Sequence, residues 1–375
     1  MHIGNFVNQP GGYKAFIPDS FPQKDLVKMT SQIVLANDAA TLALGKLDGI
    51  SQLIPDVDFF TYMYVRKEAV LSSNIEGTKA TMHDSLRADI QITEGIPRDV
   101  ENIIHYIAAL NYGLSRLKTT PLTSRVIRDV HMQLMEGTVE GIGKTPGEFR
   151  TTQNWIGGTR PNNADFVPPP PQELSRVISD FEKFINIPQP YPPLIQSALM
   201  HAQFETIHPF LDGNGRTGRL LITLQLCNRG ALEQPILYLS EYFKRHRDTY
   251  FSLLSRYHDL GEVDKWLIFF LEGVKQVAEE AIILSKSIVK LREEDMGKVH
   301  ALGGKQAPTA VKLLTELFKQ PIVDVAAVVK ITGLSRPAAN ALVKRFVEIG
   351  ILSQPDETVT YARTFTYDRY LSLFN

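Results

Sequence analysis

Residues 205–226 read ETIHPFLDGNGRTGRLLITLQL, a glycine-rich loop joining an amphipathic helical pattern to an almost continuously apolar one. Gly213 and Gly215 carry no Cβ, so backbone N–H groups there can turn toward an anion and let it approach closely. The apolar run predicts a helix over Thr217–Arg229, beginning near Arg216, whose positive dipole end falls at the same place. Arg216 and Arg219 are three residues apart and share a helix face, from which two guanidinium groups can grip successive phosphates. Asp212 offers a hard oxygen to a Mg2+ ion bridging phosphate oxygens. His208, just before the loop, can take a proton from an incoming hydroxyl, and the Asn214 amide can donate to a phosphate oxygen. These residue types form a phosphate cradle with a base and a metal ligand beside it.

Other readings fit the same residues less well. Gly213–Gly218 matches G-x-G-x-x-G, with Glu233 about twenty residues on, but the preceding LIQSALMHAQFETI is helical where a dinucleotide fold needs a strand. The G-x-x-x-x-G-K-[ST] pattern of a P-loop does not occur. His201, Glu205 and His208 could suggest zinc, yet the HExxH order is missing.

HPFLDGNGRTGR, residues 208–219, resembles the Fic motif, HPFx[D/E]GNGRxxR, at every fixed position. The resemblance implies a mainly α protein: a helical Fic core with a β-hairpin flap. It also implies transfer of AMP from ATP to Ser, Thr or Tyr hydroxyls of proteins, the chain itself included, with release of pyrophosphate. By that likeness His208 deprotonates the target hydroxyl and Asp212 binds Mg2+. Gly213, Asn214 and Gly215 form the anion hole, Arg216 and Arg219 contact the β- and γ-phosphates, and Thr217 and Gly218 complete the nucleotide-binding turn.

Two further stretches resemble family patterns. Residues 147–171, GEFRTTQNWIGGTRPNNADFVPPPP, resemble the flap, with Ile156, Gly157, Gly158 and Thr159 over the nucleotide and the backbone around Trp155–Thr159 free to pair with a target segment as an added strand. Residues 72–77, SSNIEG, match the inhibitory pattern [S/T]xxxE[G/N] through Ser72, Glu76 and Gly77. A carboxylate in the last turn of a helix opposes the dipole and gains from a cation nearby; the resemblance names Arg219 as that cation. Glu76 on Arg219 would keep the γ-phosphate from productive binding, and the same Glu with Mg2+ could instead position water to remove AMP from a target. Tyr250, in HRDTYFSLL, stands where the family often supplies an aromatic residue to the adenine.

Working outward, helical periodicity predicts helices over 25–47, 59–75, 98–117, 123–135, 172–185, 193–207, 241–259 and 262–291, with residues 1–20 an irregular arm. GKVHALGGKQAP, residues 297–308, reads as a linker. Beyond it three short helices (309–318, 323–331, 335–349) and a β-like tail (351–365) outline a winged helix. The expected organisation is an N-terminal helical region with the inhibitory motif (1–115), a Fic core (116–296) and a winged-helix-like domain (297–375).

Composition narrows the partners. Forty basic and forty-one acidic side chains in 375 residues, a net charge of -1, do not suit a chain that coats nucleic acid or an acidic membrane. Residues 308–375 hold eight Lys/Arg and six Asp/Glu, a modest excess for a DNA reader, so this module is expected to dock a protein or a second copy of the chain as a homodimer rather than DNA. The single cysteine, Cys227, sits in an apolar run, which fits a small core residue in a reducing, cytoplasmic setting. No apolar run approaches the ~20 residues of a membrane span, and the first residues lack the pattern of a signal peptide. The alternatives are a Fic transferase using another donor, such as one passing on UMP, phosphate or phosphocholine, and a DNA-binding regulator whose core senses nucleotide. His208→Ala separates the last from an enzyme, because a regulator would keep its operator.

Overall fold

The computed structural model describes residues 2–23, 25–53, 57–88, 97–303, 307–354 and 363–374. In chain order the elements are β1 (Gly4–Gln9), β2 (Tyr13–Pro18), α1 (Ser31–Leu53), α2 (Val57–Ile75), α3 (Met82–Ala88), α4 (Arg98–Leu117), α5 (Ser124–Met135), α6 (Pro171–Asn186), α7 (Pro193–Ile207), α8 (Asn214–Asn228), α9 (Ser240–Arg245), α10 (Arg247–Leu260), α11 (Val263–Ala301), α12 (Ala307–Leu317), β3 (Ile322–Asp324), α13 (Val325–Thr332), α14 (Arg336–Glu348), β4 (Thr364–Thr366) and α15 (Asp368–Leu371). The mainly α architecture read from the periodicity is the one observed. Among the described residues no helix is long and apolar enough to cross a membrane.

The centre is the antiparallel pair α7–α8. Both helices are buried around nearly their whole circumference, as expected of helices apolar on every side. Around them pack α2, α4, α5, α6, α10 and α11. The two central helices approach closely because Gly218 has no side chain: a Cβ there would lie 2.3 Å from Glu205 Oε1 and 3.1 Å from Phe204. Their starts are fixed locally, with Pro193 in the first turn of α7 and the left-handed Gly213 (φ 72) as N-cap of α8.

Four local expectations need correction. Residues 1–20 are not an irregular arm but contain the antiparallel hairpin β1–β2, with Gly4 opposite Pro18 and Gln9 opposite Tyr13. Its turn uses Gly11 and Gly12 at φ 106 and 78, a glycine pair that is itself a hairpin signal, and the Phe16 N–H donates to Val167 O at 2.8 Å, tying the hairpin to the flap. The helix expected over 241–259 is two, divided at His246, whose φ of -113° and ψ of 38° leave the helical region. The short helix α3 carries too few apolar residues to show in the sequence. The linker expected from Gly297 begins later, since α11 continues to Ala301 with Val299 buried; residues 304–306 lie outside the described residues.

The C-terminal helices α12, α13 and α14 occur close to where the periodicity puts them, with β3 antiparallel to β4 and an isolated bridge from Ser353 to Thr366. The middle of the expected ribbon, 355–362, lies outside the described residues. A buried carboxylate, Asp295 of α11, fastens this module by accepting from Tyr367 Oη at 2.7 Å and Arg369 Nη1 at 2.5 Å.

Candidate active site

A cavity of about 750 Å³ opens between the α7–α8 loop, the flap, α10 and the end of α2. His208, Asp212, Arg216, Arg219 and Glu76 all line it.

His208 closes α7 as its C-cap in the left-handed region, φ 48 and ψ 60, an uncommon conformation for a residue with a Cβ. A buried guanidinium maintains it: Arg150 donates from Nε to His208 O at 2.9 Å and from Nη2 to Ile207 O at 3.3 Å and Pro169 O at 2.5 Å. Asn154 adds bonds from Nδ2 to His208 O at 3.2 Å and Phe210 O at 2.8 Å. Burial, reinforced by the Arg150 charge, pushes the imidazole down to about 4, so it is neutral at physiological pH. Its Nδ1 lies 3.8 Å from Glu205 Oε2, and burial pushes the Glu205 carboxyl up to about 8.

The loop that follows is held from beneath. Gly147 N–H donates to His131 Nδ1 at 2.9 Å, which leaves the proton on Nε2 to donate to Asp212 O at 3.0 Å. One Asp212 side-chain oxygen accepts the Gly213 N–H at 2.7 Å while the carboxylate faces the cavity. The first turn of α8 has no side-chain cap, so its N–H groups remain for an anion.

Asn214 has a structural task as well. Its amide engages the Phe210 backbone, donating to the carbonyl and accepting from the N–H, each at 2.9 Å. These two bonds lock the turn. Thr217 likewise turns inward, donating to Gly213 O at 2.8 Å, and Gly218 faces the α7 packing seam. Of residues 213–219, Gly213, Asn214, Gly215, Arg216 and Arg219 line the cavity.

Arg219 is met by three groups of the same helix edge. Its Nε donates to Ser72 Oγ at 2.8 Å, and its Nη2 to Ser72 O at 3.0 Å and Glu76 Oε1 at 2.7 Å. Glu68, Ser72 and Glu76 are spaced at four-residue intervals, which sets them in one row, the last two on Arg219 of α8. Gly77, at φ 105, turns the chain away directly after Glu76. Burial would raise the Glu76 carboxyl, but the neighbouring Arg219 overrides it and holds the group below its ordinary value. Glu68 is fully enclosed, hydrogen-bonded to Ser240 and to Tyr106 Oη at 3.1 Å, and burial pushes it up to about 7.

Tyr250 lines the cavity beside Phe251 and Leu254, but most of its ring is packed away. It is 1 % exposed, with its ring 4.5 Å from Phe243 and its hydroxyl 2.8 Å from His201 Nε2. The exposed aromatic on the same stretch of α10 is Phe251, which lines the cavity with Leu254. The flap is joined by a single bridge, Ile156 to Phe166, and Trp155 and Ile156 are each 38 % exposed. Gly157 and Gly158 have φ 68 and 64, and the Thr159 N–H donates to Asn163 Oδ1 at 3.0 Å.

Residues 34–115 match the Fic/DOC family N-terminal model, and residues 121–226 match the Fic/DOC family model. The chain belongs to the Fic/DOC family. It is 30% identical over 198 residues to a protein adenylyltransferase Fic of Culex quinquefasciatus and 34% identical over 176 residues to one of Aedes aegypti. Those alignments cover 51% and 46% of this chain and 36% and 32% of the relatives, so it spans about a third of the length of the curated relatives it matches. A crystal structure of a Fic family protein from Desulfovibrio desulfuricans G20 superposes with a TM-score of 0.59 at 19% identity, covering 92% of this chain and 98% of that one. Fic-1 from C. elegans gives 0.52 at 18% identity, over 68% and 74%. The likeness in these two is one of fold.

Within this Fic site several working residues lie outside the expected set. Arg150 and Asn154 support His208, and both fall in the quoted flap stretch, where adjacency to Trp155 was the available signal. Glu68 stands two helical turns before Glu76, so its place in the row was readable. Glu140, which bonds Arg216 Nη2 at 2.5 Å, carries no sequence signal at all.

Proposed function

We propose that this Fic protein transfers AMP from ATP to hydroxyl side chains of proteins, itself included, and that Glu76 holds the activity in check. The observation that carries this reading is one cavity in which a neutral His208 stands beside an uncapped helix N-terminus and two guanidinium groups, with a carboxylate already seated on Arg219.

His208 takes the proton of the incoming hydroxyl; the hydroxyl oxygen bonds to the α-phosphorus, and the bond from that phosphorus to the β-bridging oxygen breaks to release pyrophosphate. Burial keeps the imidazole neutral and ready to accept that proton. The first turn of α8 and Arg216 stabilise charge on the phosphates, an effect worth most in a preorganised, enclosed site. The Asp212 carboxylate, a hard oxygen donor beside the cradle, is the residue that would hold Mg2+. When bound, Mg2+ supplies charge neutralisation on the triphosphate. Phe251 and Leu254 offer an apolar wall for the adenine. The exposed flap edge around Trp155 and Ile156 suits a target strand.

Glu76 occupies Arg219 as an anionic ligand would, so a γ-phosphate must displace it. Intact-mass measurement of the Glu76→Gly protein after incubation with each nucleotide tests the reading. The expected result is a gain of one AMP with ATP alone, abolished by His208→Ala; no gain with ATP, or the same gain with another donor, overturns it.

A further inference from the structure

Arg216 and Arg219 each carry a carboxylate, but the two arrangements differ in kind. Arg219 spends Nε and Nη2 on Ser72 and Glu76. Arg216 spends Nη2, on Glu140 Oε2 at 2.5 Å with Met135 Sδ at 3.3 Å, while its Nε and Nη1 are buried with no partner among the described residues. Buried donors left unmade are costly unless a ligand completes them, and Arg216, which carries them, lines the cavity that holds His208.

The two carboxylates also differ behind the bond. Glu76 Oε1 is held by Arg219 itself. The Oε1 atom of Glu140 accepts from Asn102 Nδ2 at 2.8 Å, and Asn102 is a buried residue of α4. A carboxylate held only by the group it blocks is displaced when a stronger anion arrives. One fastened from the rear to a rigid helix stays, and fixes the guanidinium in front of it.

We propose that Glu140, backed by Asn102, is a positioning residue for Arg216: it clamps one nitrogen of the guanidinium so that the remaining donors are presented to the polyphosphate of the nucleotide. The inference rests on the nucleotide-transfer reading for its ligand. A pre-ordered Arg avoids the loss of side-chain freedom on binding, so losing the clamp weakens polyphosphate binding by about tenfold. Glu140 thus assists the ligand that Glu76 opposes.

Calorimetric binding of inorganic triphosphate, ATP and AMP to the Glu76→Gly protein, alone and with Glu140→Ala, Glu140→Gln or Asn102→Ser added, tests this. Glu140→Ala should weaken triphosphate and ATP about tenfold and leave AMP unchanged. Glu140→Gln, which still offers Arg216 an oxygen, should lose less, and Asn102→Ser should fall between. In labelling assays the KM for ATP should rise while kcat at saturating ATP is kept. Unchanged or tighter ATP binding in Glu140→Ala would make Glu140 a competitor like Glu76 and overturn the proposal, as would equal weakening of AMP. Should the parent bind triphosphate but not ATP, the nucleotide reading fails while the clamp is judged on triphosphate; if the parent binds neither, both fall.

Discussion

Replacing Glu76 by alanine should move free energy from folding to nucleotide binding. In the free protein the Arg219 guanidinium, 1% exposed, is paired with a carboxylate that is 40% exposed. Removing one partner of a fully buried pair costs about 3–5 kcal/mol, and an exposed pair is worth about 0–1 kcal/mol. With one partner enclosed, the other open, and Ser72 still accepting from Arg219, about 1–2 kcal/mol is expected. A triphosphate that takes Arg219 must first break the same contact, so its absence should appear as tighter binding of equal size. The variant should therefore unfold about 1–2 kcal/mol more easily in urea, yet bind MgATP about 5–30-fold more tightly. AMP, which lacks the phosphates that reach Arg219, should bind unchanged. Denaturation curves and calorimetric titration of the two proteins measure both sides of the cycle. Loss of stability with no gain in ATP affinity would refute the idea that Glu76 and a γ-phosphate compete for Arg219.

Other consequences concern protonation and packing. Because His208 is pushed down to about 4, labelling by the Glu76→Gly protein should stay level from pH 8 to about 5 and fall only as pH drops through about 4; a limb near the ordinary histidine value of 6.5 would contradict the buried, neutral base. Glu205, pushed from 4.5 to about 8, is protonated in the fold and ionised when unfolded between those values, so stability falls as pH rises through that window. Glu205→Gln should flatten that fall, by on the order of 1.4 kcal/mol per pH unit removed; thermal melts from pH 5 to 8 that keep the wild-type slope would argue against a protonated Glu205. Gly218→Ala puts a Cβ 2.3 Å from Glu205 Oε1 and should cost about 1–3 kcal/mol in chemical denaturation. Phe16→Ala removes the ring packed 6.0 Å from Phe166, so amide exchange at Ile156 and Phe166 should quicken while the α8 amides keep their protection.

Local residue order carried much of this protein. The 3.6-residue periodicity located α4 and α7 to the residue, because each is bounded by proline or a sharp polarity change that acts within one turn. Boundaries failed where distant packing decides them. α11 runs past the glycine at 297 since Val299 is buried against other elements, and the N-terminal hairpin is steadied by the Phe16 bond to Val167, some 150 residues away. The same division holds in the site. His208, Asp212, Gly213 and both arginines are neighbours along the chain, so one loop and one helix turn bring them together and their chemistry could be read directly. The turn-locking bonds of Asn214 were not legible, because its amide finds the Phe210 backbone only when the turn closes. Ser72 and Glu76 reach Arg219 across 147 and 143 residues, a contact suggested by family likeness and made by α2 packing beside α8. Glu140 meets Arg216 with no pattern to announce it, since a carboxylate in a polar loop looks like any solvated residue. Order along the chain settled which motif groups share the cavity; packing between distant elements settled which carboxylates meet the two guanidinium groups, because pairing of buried charges depends on distance and desolvation rather than on sequence position.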